Sequence, residues 1–227
     1  VTGGSTNFGI VDDLAGVAAL KDERDFWLHV DGAYGLAAAL TDIARPRFAG
    51  LERADSLIVD PHKWLFTPFD SCALLYRDPE IARIAHTQHA EYLDALTDSS
   101  EWNPSDYSVQ LTRRARGLPL WFSLATFGAQ AYRDAISASI ELAHAAAAEI
   151  TAREHVRLVR QPQLSVVVFE RIGWEHGDYA HWSNRLLDDQ RAFVVPSSHA
   201  GRPNARFAIV NPRTRLDDLV EILDSMR

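Results

Sequence analysis

The sequence predicts an α/β fold, a mixed sheet followed by a small α+β unit, on three observations. Short apolar runs alternate with helical stretches through the first half, the pattern of strands layered against helices. Two of those runs, FWLHV and SLIV, lead directly into clusters of polar and reactive residues. The last third changes style, with the apolar run LSVVVFE and shorter strand-like segments interleaved with helical patterns.

Taken in order, Val11 to Lys21 spaces its apolar residues helically and opens with acids, which suit the positive end of a helix dipole. Phe26 to Val30 is a buried-strand candidate ending in Asp31-Gly32-Ala33-Tyr34-Gly35, and Ser56 to Val59 a second ending in Asp60-Pro61-His62-Lys63-Trp64. Cys72 to Tyr76 is a third strand. His86 to Thr112 is polar and aperiodic, and a loop of that length serves more often as a lid or binding loop than as a passive link. Gly117 to Arg153 reads as one long helix broken near Phe127-Gly128, with an Ala-rich stretch of high helix propensity. Strands follow at Leu164 to Glu170, Phe193 to Val195 and Ala205 to Val210, with helices at Tyr179 to Arg191 and Leu216 to Met226. The unit boundary falls between Gly128 and Ala138 and is drawn here as 1–130 and 131–227.

A chain of 227 residues can bury a core without disulfides or a structural metal. Apolar residues make up 47% and charged residues 24%, which excludes a disordered chain. The net charge of -8 argues against a nucleic-acid partner, because phosphate recognition needs an excess of cations. The single cysteine, Cys72, has no internal disulfide partner and fits a reducing cytoplasm. No apolar run approaches the ~20 residues of a membrane span, so no membrane partner is expected. The abrupt opening VTGGSTNFG reads as a piece of a larger protein.

Two residues stand out chemically. Lys63 follows a buried strand and precedes Trp64-Leu65-Phe66. A lysine wedged among apolar groups has its charged form disfavoured and its amine made nucleophilic; the plain alternative is a lysine snorkelling past Trp64 to the surface. Asp31, at the other strand end, reads as a turn or cap residue before Gly32, as a metal ligand, or as the partner of a buried cation. An acid and an apolar-flanked lysine on two strand ends are the combination a pyridoxal phosphate site needs: a lysine to form the Schiff base, and an acid to keep the pyridine nitrogen protonated. Other chemistries fit worse. His86 and His89 lack further ligands at zinc spacing, the glycines form neither GxGxxG nor a P-loop, and Ser71, Ser197 and Ser198 lack a GxSxG elbow. Arg113-Arg114-Ala115-Arg116 reads as a local anion or ion-pair site.

WLHVDGAYG (27–35) and ADSLIVDPHKWLF (54–66) together resemble the group II pyridoxal-phosphate-dependent amino-acid decarboxylases. VTGGSTNFGIVDDL (1–14), LTRRARGLPLWF (111–122) and ARFAIVNPRT (205–214) resemble further segments of that family in the same order. The 32-residue spacing from Asp31 to Lys63 is specific; the Gly/Ser turn alone would be weak. The resemblance implies fold type I, with residues 1–130 forming part of the mainly parallel large-domain sheet and 131–227 the small C-terminal domain.

It also implies roles. Lys63 would be the Schiff-base lysine, Asp31 the partner of the pyridine nitrogen, and Ala33 the small residue under the ring. His62 would sit near cofactor and substrate, and Ser5 would face the ring edge or Asp31. Thr112 and Asp60 would line the cofactor site, although a carboxylate at Asp60 repels a phosphate unless a water or Thr67 intervenes. Arg206 would meet the substrate carboxylate or form a structural ion pair. Tyr107, with Tyr92 second, would be the proton donor, usually acting in a neighbouring subunit's site. The implied activity is decarboxylation of an L-amino acid to an amine and CO2 by a cytoplasmic homodimer with pyridoxal 5'-phosphate. The alternatives are an aminotransferase or aldehyde-forming homologue, and a non-catalytic dimeric homologue. The resemblance further implies that the chain is roughly a carboxyl-terminal half, which alone would show an exposed sheet edge and little or no activity.

Overall fold

The computed structural model describes residues 1–87 and 102–227. Among the described residues the chain builds two sheets, each with its own apolar core, joined by one long helix. Helix α1 (Leu14–Ala19) starts later than the periodicity suggests, because Asp13 caps it by accepting the Gly16 N–H at 2.9 Å. The first sheet has the order β1-β2-β3, formed by His29–Asp31, Ser56–Val59 and Ala73–Tyr76. β1 and β2 are parallel, with Asp31 opposite Ile58, while β3 returns antiparallel, with Ala73 opposite Val59. A further parallel bridge joins Thr2 to Asp31 on the outer side of β1. β1 is shorter than predicted: Phe26 to Leu28 lie outside the ladder, although Leu28 is buried.

The turn after β1 and the opening Gly-Gly turn touch without side chains between them. A Cβ on Gly35 would stand 2.3 Å from the Gly3 carbonyl oxygen, and one on Gly4, whose φ is +120°, 2.6 Å from the Gly35 Cα. Only glycine allows that approach. It holds residues 1–5 beside the carboxyl ends of the strands.

Helix α2 (Pro79–His86), capped by Asp78 with Pro79 in its first turn, was not anticipated from sequence. The long helix α3 (Leu118–Thr151) is interrupted where expected, at Gly128 with φ 75° and ψ 160°. It serves both cores. Tyr132, Ile136 and Ile140 pack with β1, Trp64 and Leu164, whereas Ala143, Ala146, Ala147 and Ile150 pack with the second sheet.

That second sheet is fully antiparallel, in the order β4-β5-β7-β6. Its strands are Val156–Leu158, Val166–Arg171, Arg202–Ala208 and Ser197–His199, numbered β4, β5, β7 and β6. Helices α4 (His176–Asp188) and α5 (Leu216–Asp224) cover it. The capping box of Glu175 with Asp178 starts α4 three residues earlier than the apolar pattern suggests. The expected strand at Phe193 to Val195 is not formed; pairing begins at Ser197. The reason is local: the Val194 carbonyl already accepts from the Ser183 hydroxyl at 2.7 Å, and Pro196 offers no N–H to a ladder. Among the described residues no helix is long and apolar enough to cross a membrane.

Candidate active site at the strand ends

The parallel register carries on past the ends of β1 and β2. Gly32 N–H donates to the Ile58 carbonyl at 3.1 Å, and Asp60 N–H donates to the Ala33 carbonyl at 3.0 Å. Asp31, Ala33 and Asp60 are therefore placed by backbone bonds rather than by loop chance. The Lys63 turn follows at once, with Lys63 N–H on the Asp60 carbonyl at 2.9 Å and Thr67 N–H on the Pro61 carbonyl at 3.2 Å. Trp64 anchors this turn in the core, stacked on Tyr34 with ring centroids 5.1 Å apart.

Lys63 is not wedged among apolar groups. Its side chain is 43% exposed, and its Nζ lies 2.8 Å from Oδ2 of Asp60, whose side chain is 12% exposed. Of the two readings the sequence leaves open, the surface lysine is the one found: Trp64, Leu65 and Phe66 turn toward the core while Lys63 turns away from it. Asp31 is exposed; its Oδ1 accepts the Ala33 N–H at 3.1 Å, and its Oδ2 has no partner among the described residues.

His62 is half-buried, with Nδ1 held against the Ser71 backbone, where it contacts both the carbonyl and the N–H. Its ring meets Phe69 edge-on at 5.0 Å. Ser71 and its neighbour then tie this turn to the Arg-rich segment. Ser71 Oγ donates to the Arg116 carbonyl at 3.3 Å, and Asp70 receives Arg114 at 2.6 Å and Arg116 at 3.1 Å. The Arg116 guanidinium, with Arg114 behind it, holds the Asp70 carboxyl below the usual carboxylate range. Thus 113–116 is in part an ion-pair site. It borders a cleft of about 670 Å³, which Thr112, Pro61, Ser71 and Cys72 also line.

The remaining candidates are spread around this centre. Ser5 Oγ accepts the Ile10 N–H at 3.1 Å, closing its own turn. Arg206, on β7, donates from one guanidinium nitrogen to the Thr6 carbonyl at 2.6 Å and to Asn7 Oδ1 at 3.2 Å, so it braces the same turn. Tyr107 ends a single helical turn at Pro104–Tyr107 and stacks on Trp102 at 6.2 Å; no hydrogen bond or ring contact among the described residues joins it to Lys63. Tyr92 and His89 lie outside the described residues.

Cys72 is the site residue that sequence reasoning missed. Although Cys72 is exposed at the surface, partial burial of its thiol, then the Asp60 carboxylate, push it up to about 11, with Asp31 adding to the rise and Lys63 opposing it. The clue was present in the strand pattern: pairing SLIV with CALLY antiparallel sets Cys72 across from Asp60.

These residues fit pyridoxal phosphate. An accessible amine and a carboxylate with an open oxygen emerge from neighbouring parallel strands, with a small residue, Ala33, between them. On the Lys63 turn the Thr67 hydroxyl is buried and has no hydrogen-bond partner among the described residues. Asp60 is the exception, since its carboxylate repels a phosphate dianion and is occupied by Lys63.

A type I sheet with a lysine and an aspartate at its strand ends defines a class of cofactor enzymes, and comparison with known proteins gives the family. Residues 1–172 match the pyridoxal-dependent decarboxylase conserved domain. The chain belongs to the pyridoxal-dependent decarboxylase family. It is 34% identical over 229 residues to an aromatic-L-amino-acid decarboxylase of Bacillus atrophaeus, covering 97% of this chain and 48% of the relative. It is 32% identical over 234 residues to an L-2,4-diaminobutyrate decarboxylase of Rhizobium meliloti (strain 1021), covering 99% and 46%. The fold superposes on Oryza sativa TDC, solved with PLP and tryptamine, with a TM-score of 0.87 at 25% identity, over 99% of this chain and 49% of that one. The chain spans about half the length of the curated relatives it matches.

Proposed function

We propose that this chain carries the lysine-bearing part of a decarboxylase that converts an L-amino acid to its amine and CO2. The observation that carries this reading is the placement of Lys63 and Asp31 on the ends of adjacent parallel strands. When bound, pyridoxal phosphate supplies the electron sink that makes loss of the carboxylate feasible. Lys63 would hold it covalently, and Asp31 would offer Oδ2 to the pyridine nitrogen and keep a proton there. Ala33 leaves the ring face open. His62, pinned through Nδ1, would offer Nε2 to cofactor or substrate.

Other roles in the reading are supported more indirectly. Ser5 keeps its own hydroxyl proton to donate, and Thr112 offers a hydroxyl at the Arg-lined cleft. Arg206 retains guanidinium nitrogens for a substrate carboxylate beyond the one bound to Thr6 and Asn7. Tyr107 or Tyr92 would return a proton to the reacting carbon in a partner's site. A homodimer with a shared site is supported by the exposed apolar residues Trp121, Phe122 and Phe127 on α3. Two functional units, 1–130 and 131–227, are supported by the two separate sheets, with Tyr132, Ile136 and Leu164 packed at their joint. The lone cysteine and acidic charge suit the cytoplasm.

The test is product analysis with a panel of L-amino acids and added pyridoxal phosphate, on a protein that joins this chain to the remaining length its relatives carry. CO2 with amine is expected; a keto acid would make the protein an aminotransferase, and an aldehyde the oxidative branch. Lys63→Ala should abolish covalent cofactor attachment and turnover. Asp31→Ala should keep attachment but lose several orders of magnitude in rate, because the developing charge loses its preorganised partner. Full turnover by Lys63→Ala would sink the reading.

A further inference from the structure

Asp60 stands between the other two strand ends. Its N–H is bonded to Ala33 on one side, and the β2–β3 register, carried one step beyond Val59–Ala73, sets Cys72 across from it on the other. Its carboxylate is nearly buried, whereas the Lys63 side chain it holds is half exposed. The carboxylate is thus the fixed half of the pair and the amine the moving half. An ion pair of that kind adds little to stability, because solvent screens it. What it does is fix where an otherwise mobile four-carbon chain ends.

We propose that Asp60 is a positioning residue that docks the Lys63 amine whenever that amine is not bonded to the cofactor, with the Cys72 thiol as the second donor that keeps the carboxylate turned toward it. The inference rests on Lys63 being the cofactor lysine. When the carbon–nitrogen bond from Lys63 to the cofactor's aldehyde carbon gives way to a bond with a substrate amine, the protons shed by the substrate ammonium end on the Lys63 nitrogen. The carboxylate within reach of that ammonium is Asp60. Cys72 is exposed, but partial burial and the carboxylate across the register raise its thiol to about 11, so at neutral pH it is S–H, a donor. The dock also gives a carboxylate at this position a use that phosphate contact would deny it.

The experiment follows capture rather than turnover. The chain, with Asp60→Asn, Asp60→Glu and Cys72→Ala variants, is mixed with pyridoxal phosphate and reduced with borohydride at timed intervals. The Lys63 peptide is then quantified by mass. Asp60→Asn should slow capture by on the order of tenfold, since misplacing a reacting group by an ångström is costly. Asp60→Glu should restore most of the rate, and Cys72→Ala should fall between. Because Cys72 is the only cysteine, its alkylation by iodoacetamide gives a readout that needs no cofactor. It should quicken about tenfold in Asp60→Asn, as the thiol ionises more readily without the facing carboxylate. Asp60→Glu and Cys72→Ala keep the test readable if Asp60→Asn does not fold. Equal capture by wild type and Asp60→Asn overturns the dock but leaves Lys63 as the cofactor lysine. Unchanged alkylation removes Cys72 from it. No label on wild-type Lys63 overturns both the dock and the decarboxylase reading.

Discussion

The two sheets of this chain are built to different standards. In the second, five consecutive residues of β5 (Val166 to Glu170) are buried, flanked by α3 and by Tyr179, Trp182 and Leu186 of α4. Its buried charge, Glu170, is met by Arg157 and Arg202. In the first, β3 leaves Leu74 and Leu75 open, and the strand ends present Asp31 and Lys63 to solvent. One sheet has its contacts closed within the described residues. The other keeps accessible the groups that would engage a cofactor. Stability and chemistry are therefore separable here, and mutations should divide along the same line.

The largest stability effect belongs to the closed sheet. Trp182 is 1% exposed and donates from Nε1 to Ser225 Oγ at 2.9 Å, pinning α4 to the end of α5. Trp182→Ala should cost about 3–5 kcal/mol by denaturant unfolding, from lost burial and the cavity left behind. Lys63→Ala, at an exposed position on the other sheet, should leave the same unfolding midpoint nearly unchanged. If the two costs were alike, the division would be false.

A middle-sized effect tests the joint between the sheets. The Tyr34 hydroxyl lies 2.6 Å from Ser165 Oγ and accepts the Ser165 N–H at 3.1 Å, linking the turn after β1 to the start of β5. Tyr34→Phe leaves those buried Ser165 groups without partners and should cost about 1–3 kcal/mol at neutral pH. Burial also pushes the Tyr34 phenol up to about 12, outweighing its bonds to Ser165. The folded state thus favours the protonated phenol. That contribution is complete below about pH 10, where the unfolded chain begins to ionise, and disappears as pH rises toward 12. Unfolding curves of wild type and Tyr34→Phe should converge across that window; parallel curves would mean that Tyr34 titrates freely.

How much of this was legible in sequence differs between the sheets in the same way. The β2 limits, the break at Gly128 and the strand-end location of Lys63 and Asp31 follow from apolar runs and turn residues, which act locally. The strand expected at Phe193 to Val195 failed because the Val194 carbonyl is bonded by the Ser183 hydroxyl from another segment and Pro196 cannot donate. The environment of Lys63 stayed open between a wedged and a surface lysine for another reason: apolar neighbours in sequence point inward together, so they say nothing about the side chain that points the other way. Cys72 and Asp60 meet only once an antiparallel register is chosen, a long-range fact that no single segment contains.

The smallest effect concerns a polar group that the open sheet buries and does not use. Thr67 Oγ1 is enclosed on the Lys63 turn with no hydrogen-bond partner among the described residues. A buried hydroxyl without a partner costs on the order of 1 kcal/mol or more, so replacing it with a methyl of similar shape removes a penalty. Thr67→Val should therefore leave thermal stability unchanged or raise it by about 1 kcal/mol without cofactor. With pyridoxal phosphate the order should reverse, the wild type gaining more on ligand addition, because mass action rewards whichever form binds more tightly. Melting both proteins with and without the cofactor reads the two terms separately. A variant that is stabilised and equally responsive to cofactor would show that the hydroxyl serves neither sheet nor ligand. A variant stabilised alone but less responsive would show that the open sheet tolerates an unpartnered polar group because the cofactor is its partner.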